Sequence, residues 1–403
     1  MISAPAAGIP YWRLSSFYFL YYAFLGAMMP YWSLYLQATG LDAAAIGVVL
    51  AVMAAIRIVA PNVWGWLADR SGRRLLIIRT AAFAALVTFA GLLVREDLWW
   101  LVAVVALHSV FWNAILAQYE VITLASLGEQ VHRYGQVRLW GSVSFIAAVI
   151  GAGQLFDRIS VAWLPQLLLA LLVLIAAGTL VIREPAPARR AHPAGGLRTL
   201  LGARAVQAFL AASFLLQFSH APYYGFFSLY LEQHGYGRAA TGLIWSLGVI
   251  AEIGVFAFAH RLLARLGLRA ILLASLLLAA LRWLIIGFGV DSLALLLVAQ
   301  CLHAGSFGSF HAAGIEFLRR HFGAAQQGQG QALYAAVSFG AGGALGALVS
   351  GFLWELSARL SFVVAALAAL AGWWIVRVWV RGALVEAPAA ARATMREMRE
   401  EAR

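Results

Sequence analysis

Between Ser33 and Arg74 the chain carries a stretch that returns half a chain-length later, and this repeat restricts the possible folds more than any other feature. In the register that carries Ser33 to Ser228, Ser33-Leu34-Tyr35-Leu36 reads again as Ser228-Leu229-Tyr230-Leu231. Gly40 becomes Gly235, Ala44-Ala45 becomes Ala239-Ala240, and Gly47 becomes Gly242. Further along, Arg70, Gly72 and Arg74 fall on Arg265, Gly267 and Arg269. Duplication at half length is a signature of transporter folds, in which two related bundles enclose a site near the bilayer midplane. One pair in the register is unlike the others: Arg57 falls on Glu252, and both lie inside long apolar runs.

Those runs define the class. Of 403 residues, 63% are hydrophobic and only 11% charged, and the mean hydropathy is +0.84. A soluble domain is about half apolar and a quarter charged, so this is a polytopic membrane protein. The net charge of +12 does not indicate nucleic acid, because the basic residues lie in short loops and a tail, with no basic patch interleaved with aromatics. Every basic residue is Arg, whose charge is fixed even inside a bilayer. The single cysteine, Cys301, cannot form an internal disulfide. No signal-peptide pattern precedes the first long apolar segment.

Windows of about 20 apolar residues suffice to cross the hydrocarbon core. Twelve are present, at roughly 13–36, 43–67, 75–94, 98–124, 138–156, 161–182, 205–231, 239–262, 270–289, 292–317, 328–355 and 360–381. Arginines crowd alternate loops: Arg70, Arg73, Arg74 and Arg79; Arg133 and Arg138; Arg183 to Arg204; Arg261, Arg265 and Arg269; Arg319 and Arg320. The other loops offer Arg95, Arg158, Arg238 and Arg359. The positive-inside rule therefore predicts cytoplasmic termini and a cytoplasmic central loop. The chain divides into a bundle at 1–182, a Pro/Gly-containing linker at 183–204, a second bundle at 205–382 and a solvated or interfacial tail at 383–403.

After the second span comes Gly65-Trp66-Leu67-Ala68-Asp69-Arg70-Ser71-Gly72-Arg73-Arg74. This resembles the cytoplasmic loop signature of the major facilitator superfamily, G-x-L-x-D-R-x-G-R-R, at every defined position. The resemblance implies an all-α membrane fold of two pseudo-symmetric six-helix bundles that rock about a central site. It also implies a cytoplasmic latch built from Gly65, Asp69, Arg70, Gly72, Arg73 and Arg74. In the second copy Ala264 stands where Asp69 was, so a degraded latch is expected there.

A narrower resemblance spans most of the chain. Tyr134-Gly135-Gln136-Val137-Arg138-Leu139-Trp140-Gly141-Ser142, His220 to Phe226, Trp245 to Glu252, Leu281-Arg282-Trp283 and His303 to His311 are similar to the phenylpropionate permease branch. That branch is related to lactose and nucleoside permeases, which are proton symporters. The resemblance implies a multi-pass protein of a bacterial inner membrane, acting as a monomer and importing an aromatic monocarboxylate, such as 3-phenylpropionate, with protons.

The intramembrane polar residues can also be read without the family. A charge near the bilayer centre costs about 2.5–3.5 kcal/mol on the insertion scale, so it should face the bundle interior with a partner. Glu120 shares a helical face with Ser109 and Asn113, and Arg138 opens the next span. They form either a substrate or gating pair, or a pair that holds two helices together. Glu252 on span eight and Arg282 on span nine match, by resemblance, the acidic and basic residues of the lactose permease's second half. A helix motion making or breaking their contact would drive proton release or uptake; the alternative is a permanent ion pair, with Arg57 as another partner for Glu252.

His303 and His311 sit eight residues apart on roughly one face with Phe307 between them, and either handle protons or bond helix to helix. His220 shares a stripe with Gln217, Tyr224 and Phe227. Tyr22 and Tyr224, on spans one and seven, are candidate walls for an aromatic substrate, against the alternative that such rings are interfacial anchors. Glu316 beside Arg319 and Arg320 reads as a cytoplasmic end pair. Proton coupling is thus assigned to Glu252, Arg282, His303 and His311, and substrate contact to Arg57, Glu120, Arg138, Asn113, Tyr22, His220 and Tyr224. The sequence holds no metal spacing and no nucleophile–base set, so neither an enzyme nor a cofactor other than the coupling proton is expected. The expected partners are a small organic anion and the lipid bilayer. A sugar or nucleoside symporter is the nearest rival, followed by a drug antiporter and a non-transporting receptor.

Overall fold

The structure is a computed structural model that describes residues 10–183, 202–322 and 326–380. Apart from a few residues at the linker's ends, the expected linker and the whole tail lie outside these. The described residues form helices and connecting turns. Helix 1 runs Tyr11–Met28 and resumes as Trp32–Ala38. Helices 2 to 6 are Ala43–Ser71, Arg74–Phe89, Leu98–Leu127, Tyr134–Phe156 and Leu164–Val181. Helices 7 to 9 are Arg204–Gln233, Arg238–Leu266 and Leu268–Gly289. Helix 10 is Leu293–His303 and Ser309–His321 around a π-helical turn at Ala304–Gly308. Helix 11 is Gln327–Ala335 and Gly343–Leu356 around a second π-turn at Ala336–Gly342. Helix 12 is Ala358–Trp379.

Nine helical segments among the described residues are long and apolar enough to cross a membrane. One of them, Leu98–Phe156, contains helices 4 and 5 joined by a 3-10 turn, and helices 1 and 7 complete the twelve. The first helix is the one that departs from expectation. Pro30 has no N–H to donate, and the backbone breaks there before Tyr31 restarts the ladder.

Local chemistry sets the ends. Asp42 accepts from the Ala45 N–H at 2.7 Å and caps helix 2; Asp97 does the same for helix 4 at 3.2 Å. Gly72 ends helix 2 at φ 64, the left-handed conformation that its missing Cβ permits, and that turn starts helix 3 two residues later. Arg79 on helix 3 donates to the carbonyls of Thr179, Leu180 and Ile182 at the end of helix 6.

These helices are apolar on nearly every face, so amphipathicity cannot orient them, and close contact between small residues takes over. In the first half a Cβ on Gly26 of helix 1 would lie 2.5 Å from the carbonyl oxygen of Phe145 on helix 5. In the second half a Cβ on Gly342 of helix 11 would lie 2.5 Å from the Phe214 carbonyl oxygen on helix 7. The backbones touch in both pairs.

The chain divides into two compact units. The first holds Met1–Arg189 with Leu231–Ser246, and the second Arg190–Tyr230 with Leu247–Arg403. This division does not follow the halves of the sequence, because the segment Leu231–Ser246 groups with the first unit.

Candidate functional site

In the first unit, helices 1, 4 and 5 bring Tyr22, Glu120 and Arg138 together. The Arg138 guanidinium lies 3.8 Å from the centroid of the Tyr22 ring and 5.6 Å from that of Tyr18, and it donates to the Tyr22 hydroxyl. Gly141, one turn on, makes room: a Cβ there would meet the Tyr22 ring at 2.7 Å and Arg138 Nη1 at 2.8 Å. Glu120 accepts from the Tyr134 hydroxyl at 3.2 Å. The expected acid–base pair is thus held by two tyrosine hydroxyls, one on each member. Arg138, Tyr22, Glu120 and Asn113 are all half-buried. Asn113 donates to the Ser109 carbonyl at 2.7 Å, which fixes its amide along the helix.

In the second unit, helices 7 to 10 build a tighter cluster. Arg282 is fully buried. Its Nε donates to the Ala299 carbonyl at 2.9 Å, Nη1 contacts His303 Nδ1 at 3.0 Å, and Nη2 donates to Gln300 Oε1 at 3.5 Å. Its faces lie over Tyr223, at 4.0 Å, and Trp283, at 4.7 Å. A guanidinium can only donate, so His303 Nδ1 accepts and the ring proton sits on Nε2. That Nε2 faces Glu252 Oε2 at 3.8 Å. His303 therefore stands between Arg282 and Glu252, where direct contact between the two was expected.

Helix 10 owes its polar face to its π-turn. In a regular helix, residues four apart are displaced by about 40°, so His303, Phe307 and His311 would drift around the surface. The wider π-turn makes the fourth residue fall short of a full turn, which offsets the overshoot of the regular turn after it and keeps His303 and His311 on one face. The three rings form a stack: His303 and Phe307 are 5.3 Å apart at 3°, and Phe307 and His311 are 6.1 Å apart at 8°. His311 reaches the Tyr334 hydroxyl at 3.4 Å, and Phe339, from the π-turn of helix 11, meets Phe307 edge-on at 6.3 Å.

The remaining predicted residues separate clearly. His220 is fully buried, hydrogen-bonded through Nδ1 to the Leu216 carbonyl at 2.8 Å and set edge-on to Trp283. Its stacking neighbour Tyr224 is the half-buried member of that stripe. Arg57 is exposed on helix 2, four residues before Pro61. At the latch motif, Arg74 bonds both Asp69 and, on helix 4, Gln118. Arg70 lies 5.8 Å over the exposed Trp66 ring. The second copy differs as its lost acid suggests: Arg269 donates instead to the Arg377 carbonyl at 3.0 Å. Glu316 pairs with Arg319 at 2.6 Å and with Arg320 at 2.7 Å.

Tyr134 and Gln300 were not singled out from the sequence, and Tyr223 was read only as one of the span-seven aromatics, without a role at Arg282. Gln300 lies one helical turn before His303 on the same face, a spacing that could have drawn attention to it. Its Oε1 accepts from the Tyr223 hydroxyl at 2.9 Å as well as from Arg282. Nothing in the sequence marks Tyr223 or Tyr134 among so many aromatics.

Comparison with known proteins agrees with this architecture. The chain is 32% identical over 369 residues to a probable 3-phenylpropionic acid transporter of Escherichia coli, covering 88% of this chain and 93% of that one. It is 31% identical over 353 residues to the maltose permease of Geobacillus stearothermophilus, covering 86% and 89%. Among solved structures, a mutant of the nucleoside transporter NupG shares the fold with a TM-score of 0.83 at 17% identity, covering 92% of this chain and 99% of that one. The profile of the MFS_1 like family matches residues 11–364. The protein is a multi-pass membrane transporter of the MFS_1 like family.

Proposed function

We propose that the protein imports 3-phenylpropionate, or a related aromatic monocarboxylate, together with protons by alternating access across a bacterial inner membrane, with both termini in the cytoplasm. The observation that carries the substrate class is Arg138. It is half-buried, stacked on Tyr22 and donates to that tyrosine's hydroxyl, and its planar fork suits a carboxylate taken in two parallel hydrogen bonds. Tyr22, Tyr18 and the stacked pair Tyr21–Trp112, 4.3 Å apart at 11°, give the aromatic surroundings that a phenyl ring needs. The relatedness to the Escherichia coli protein supports the same class.

Proton coupling is assigned to Glu252 and His303, with Arg282 as their governor. In the observed geometry Arg282 occupies His303 Nδ1, the position that a second proton on the ring would need. A proton delivered to Nδ1 and the Arg282 contact therefore exclude each other. Protonation moves Arg282, or movement of Arg282 admits the proton, and the carboxylate of Glu252 lies beside the opposite ring nitrogen to exchange with it. One proton per carboxylate would make transport electroneutral, whereas two would also draw on the membrane potential.

A second reading has specific support. Glu120, Tyr134 and Asn113 would suit the hydroxyls of a sugar or nucleoside, and a maltose permease and a nucleoside transporter are among the similar proteins. Uptake of labelled 3-phenylpropionate into proteoliposomes, outside acidic, separates the two. Accumulation above protein-free liposomes that collapses with a protonophore is the expected result, and Glu252→Gln should keep counterflow while losing accumulation. No excess uptake of the acid, together with saturable uptake of maltose or a nucleoside, would replace the first reading with the second.

A further inference from the structure

Helix 8 begins without a cap of its own. In the repeat register its entry residue, Gly237, stands where Asp42 stands before helix 2. Asp42 caps its helix locally, accepting from the Ala45 N–H. Gly237 has no side chain with which to do so. The role passes to Asp157, one residue beyond helix 5, whose Oδ1 accepts from the Arg238 N–H at 2.7 Å and whose Oδ2 accepts from the Ala239 N–H at 3.2 Å.

Other contacts close the same junction. The Tyr31 hydroxyl, aimed by the break in helix 1, donates to the Val149 carbonyl at 2.8 Å and to the Arg238 carbonyl at 3.3 Å. Arg238 itself donates from Nη1 to the Phe156 carbonyl at 3.1 Å and pairs with Glu232 at 2.8 Å. Clearance is nil. A Cβ on Gly153 would lie 2.5 Å from the Tyr31 hydroxyl and 2.6 Å from the Arg238 carbonyl oxygen, and one on Gly242 would lie 2.7 Å from that hydroxyl. The cluster lies within the first unit, to which Leu231–Ser246 belongs.

We propose that the borrowed cap is a releasable latch: Asp157 and Tyr31 hold the first turns of helix 8 against helix 5 while the outward route is closed, and let go when it opens. A local cap such as Asp42 travels with its helix and survives any rigid motion. A cap supplied by another helix survives only in conformations that keep the two together. When the junction parts, water can take the released N–H groups, so opening exchanges partners rather than stranding them. The proposal rests on transport by alternating access, and not on the identity of the substrate or on proton coupling.

The test places a reporter cysteine, Ser246→Cys, in the segment next to the latch, in a Cys301→Ser background. Ser246 is 2% exposed. Its labelling rate by a water-soluble maleimide is read on purified full-length protein in detergent, without substrate. Asp157→Ala should raise the rate about five-fold, the population shift expected from losing one helix cap. Asp157→Asn keeps one of the two acceptor oxygens and should give a smaller rise than Asp157→Ala. Tyr31→Phe should give a smaller rise. An unchanged rate in Asp157→Ala overturns the latch, and equal rises in the Ala and Asn variants overturn the capping account. Should Asp157→Ala fail to purify, Tyr31→Phe decides: an unchanged rate there also overturns the proposal.

Discussion

Each half of the molecule brings an arginine to within 4.0 Å of a tyrosine ring centroid, Arg138 over Tyr22 and Arg282 over Tyr223, and these two arginines are handled in opposite ways. Arg138, in the first unit, lies across Tyr22 in a half-buried setting, where a fork of donors remains to meet a ligand. Arg282, in the second, lies across Tyr223 and is fully buried, with Nε, Nη1 and Nη2 each committed to the protein. The same residue over the same kind of ring thus serves two tasks, and burial with saturation decides which. A saturated guanidinium organises its neighbours, whereas a half-exposed one can receive a carboxylate.

Substitutions can break this contrast. The largest expected effect is on stability: Arg282→Met strands His303, Gln300 and Tyr223 in the interior and should cost roughly 3–5 kcal/mol. Arg138→Met should cost about 1 kcal/mol or less. Thermal unfolding in detergent reads both, and equal losses would end the contrast. Next comes binding: Arg138→Met should raise the KM for uptake about 10- to 100-fold, the value of a charge-assisted hydrogen bond to the carboxylate. Arg138→Lys should recover only part of this, because an ammonium cannot form the fork. Tyr134→Phe frees Glu120 from its hydroxyl and should shift KM several-fold, corresponding to about 1 kcal/mol. Tyr22→Phe keeps the ring under Arg138 and removes only the hydroxyl, so its KM should change about two-fold; a change as large as that of Arg138→Met would make Tyr22 itself the ligand.

The fold was largely legible because apolar length is a local signal. The predicted spans at 43–67 and 270–289 meet observed helices at Ala43–Ser71 and Leu268–Gly289. The interruption of helix 1 was not foreseen, since Pro30 sits inside an otherwise unbroken apolar run. The candidate site was legible in its charges and illegible in its hydroxyls. Glu120, Arg138, Glu252 and Arg282 stand out because charge is rare in such a chain. Tyr134 and Tyr223 look like any other ring until the helices meet around them. Register likewise hid the place of His303 between Arg282 and Glu252, since the rotation of helix 10 depends on a backbone irregularity that composition does not announce. The glycines show the same limit. Both halves bring their first and fifth helices into backbone contact, yet Gly26 supplies the gap from helix 1 in one and Gly342 from helix 11 in the other, so the geometry repeats where the residue does not.

That irregularity in helix 10 has a consequence for how the chain can change length. A π-turn is what an α-helix becomes on absorbing one surplus residue, and removing a residue restores the regular pitch. Deleting Gly305 would leave helix 10 regular and put His303 and His311 seven residues apart, within about 20° of two full turns. The two histidines would still share a face, whereas Phe307, then three residues from His303, would fall about 60° short of a full turn and leave its place in the stack. A single codon therefore sets whether Phe307 stands in line between the two histidines.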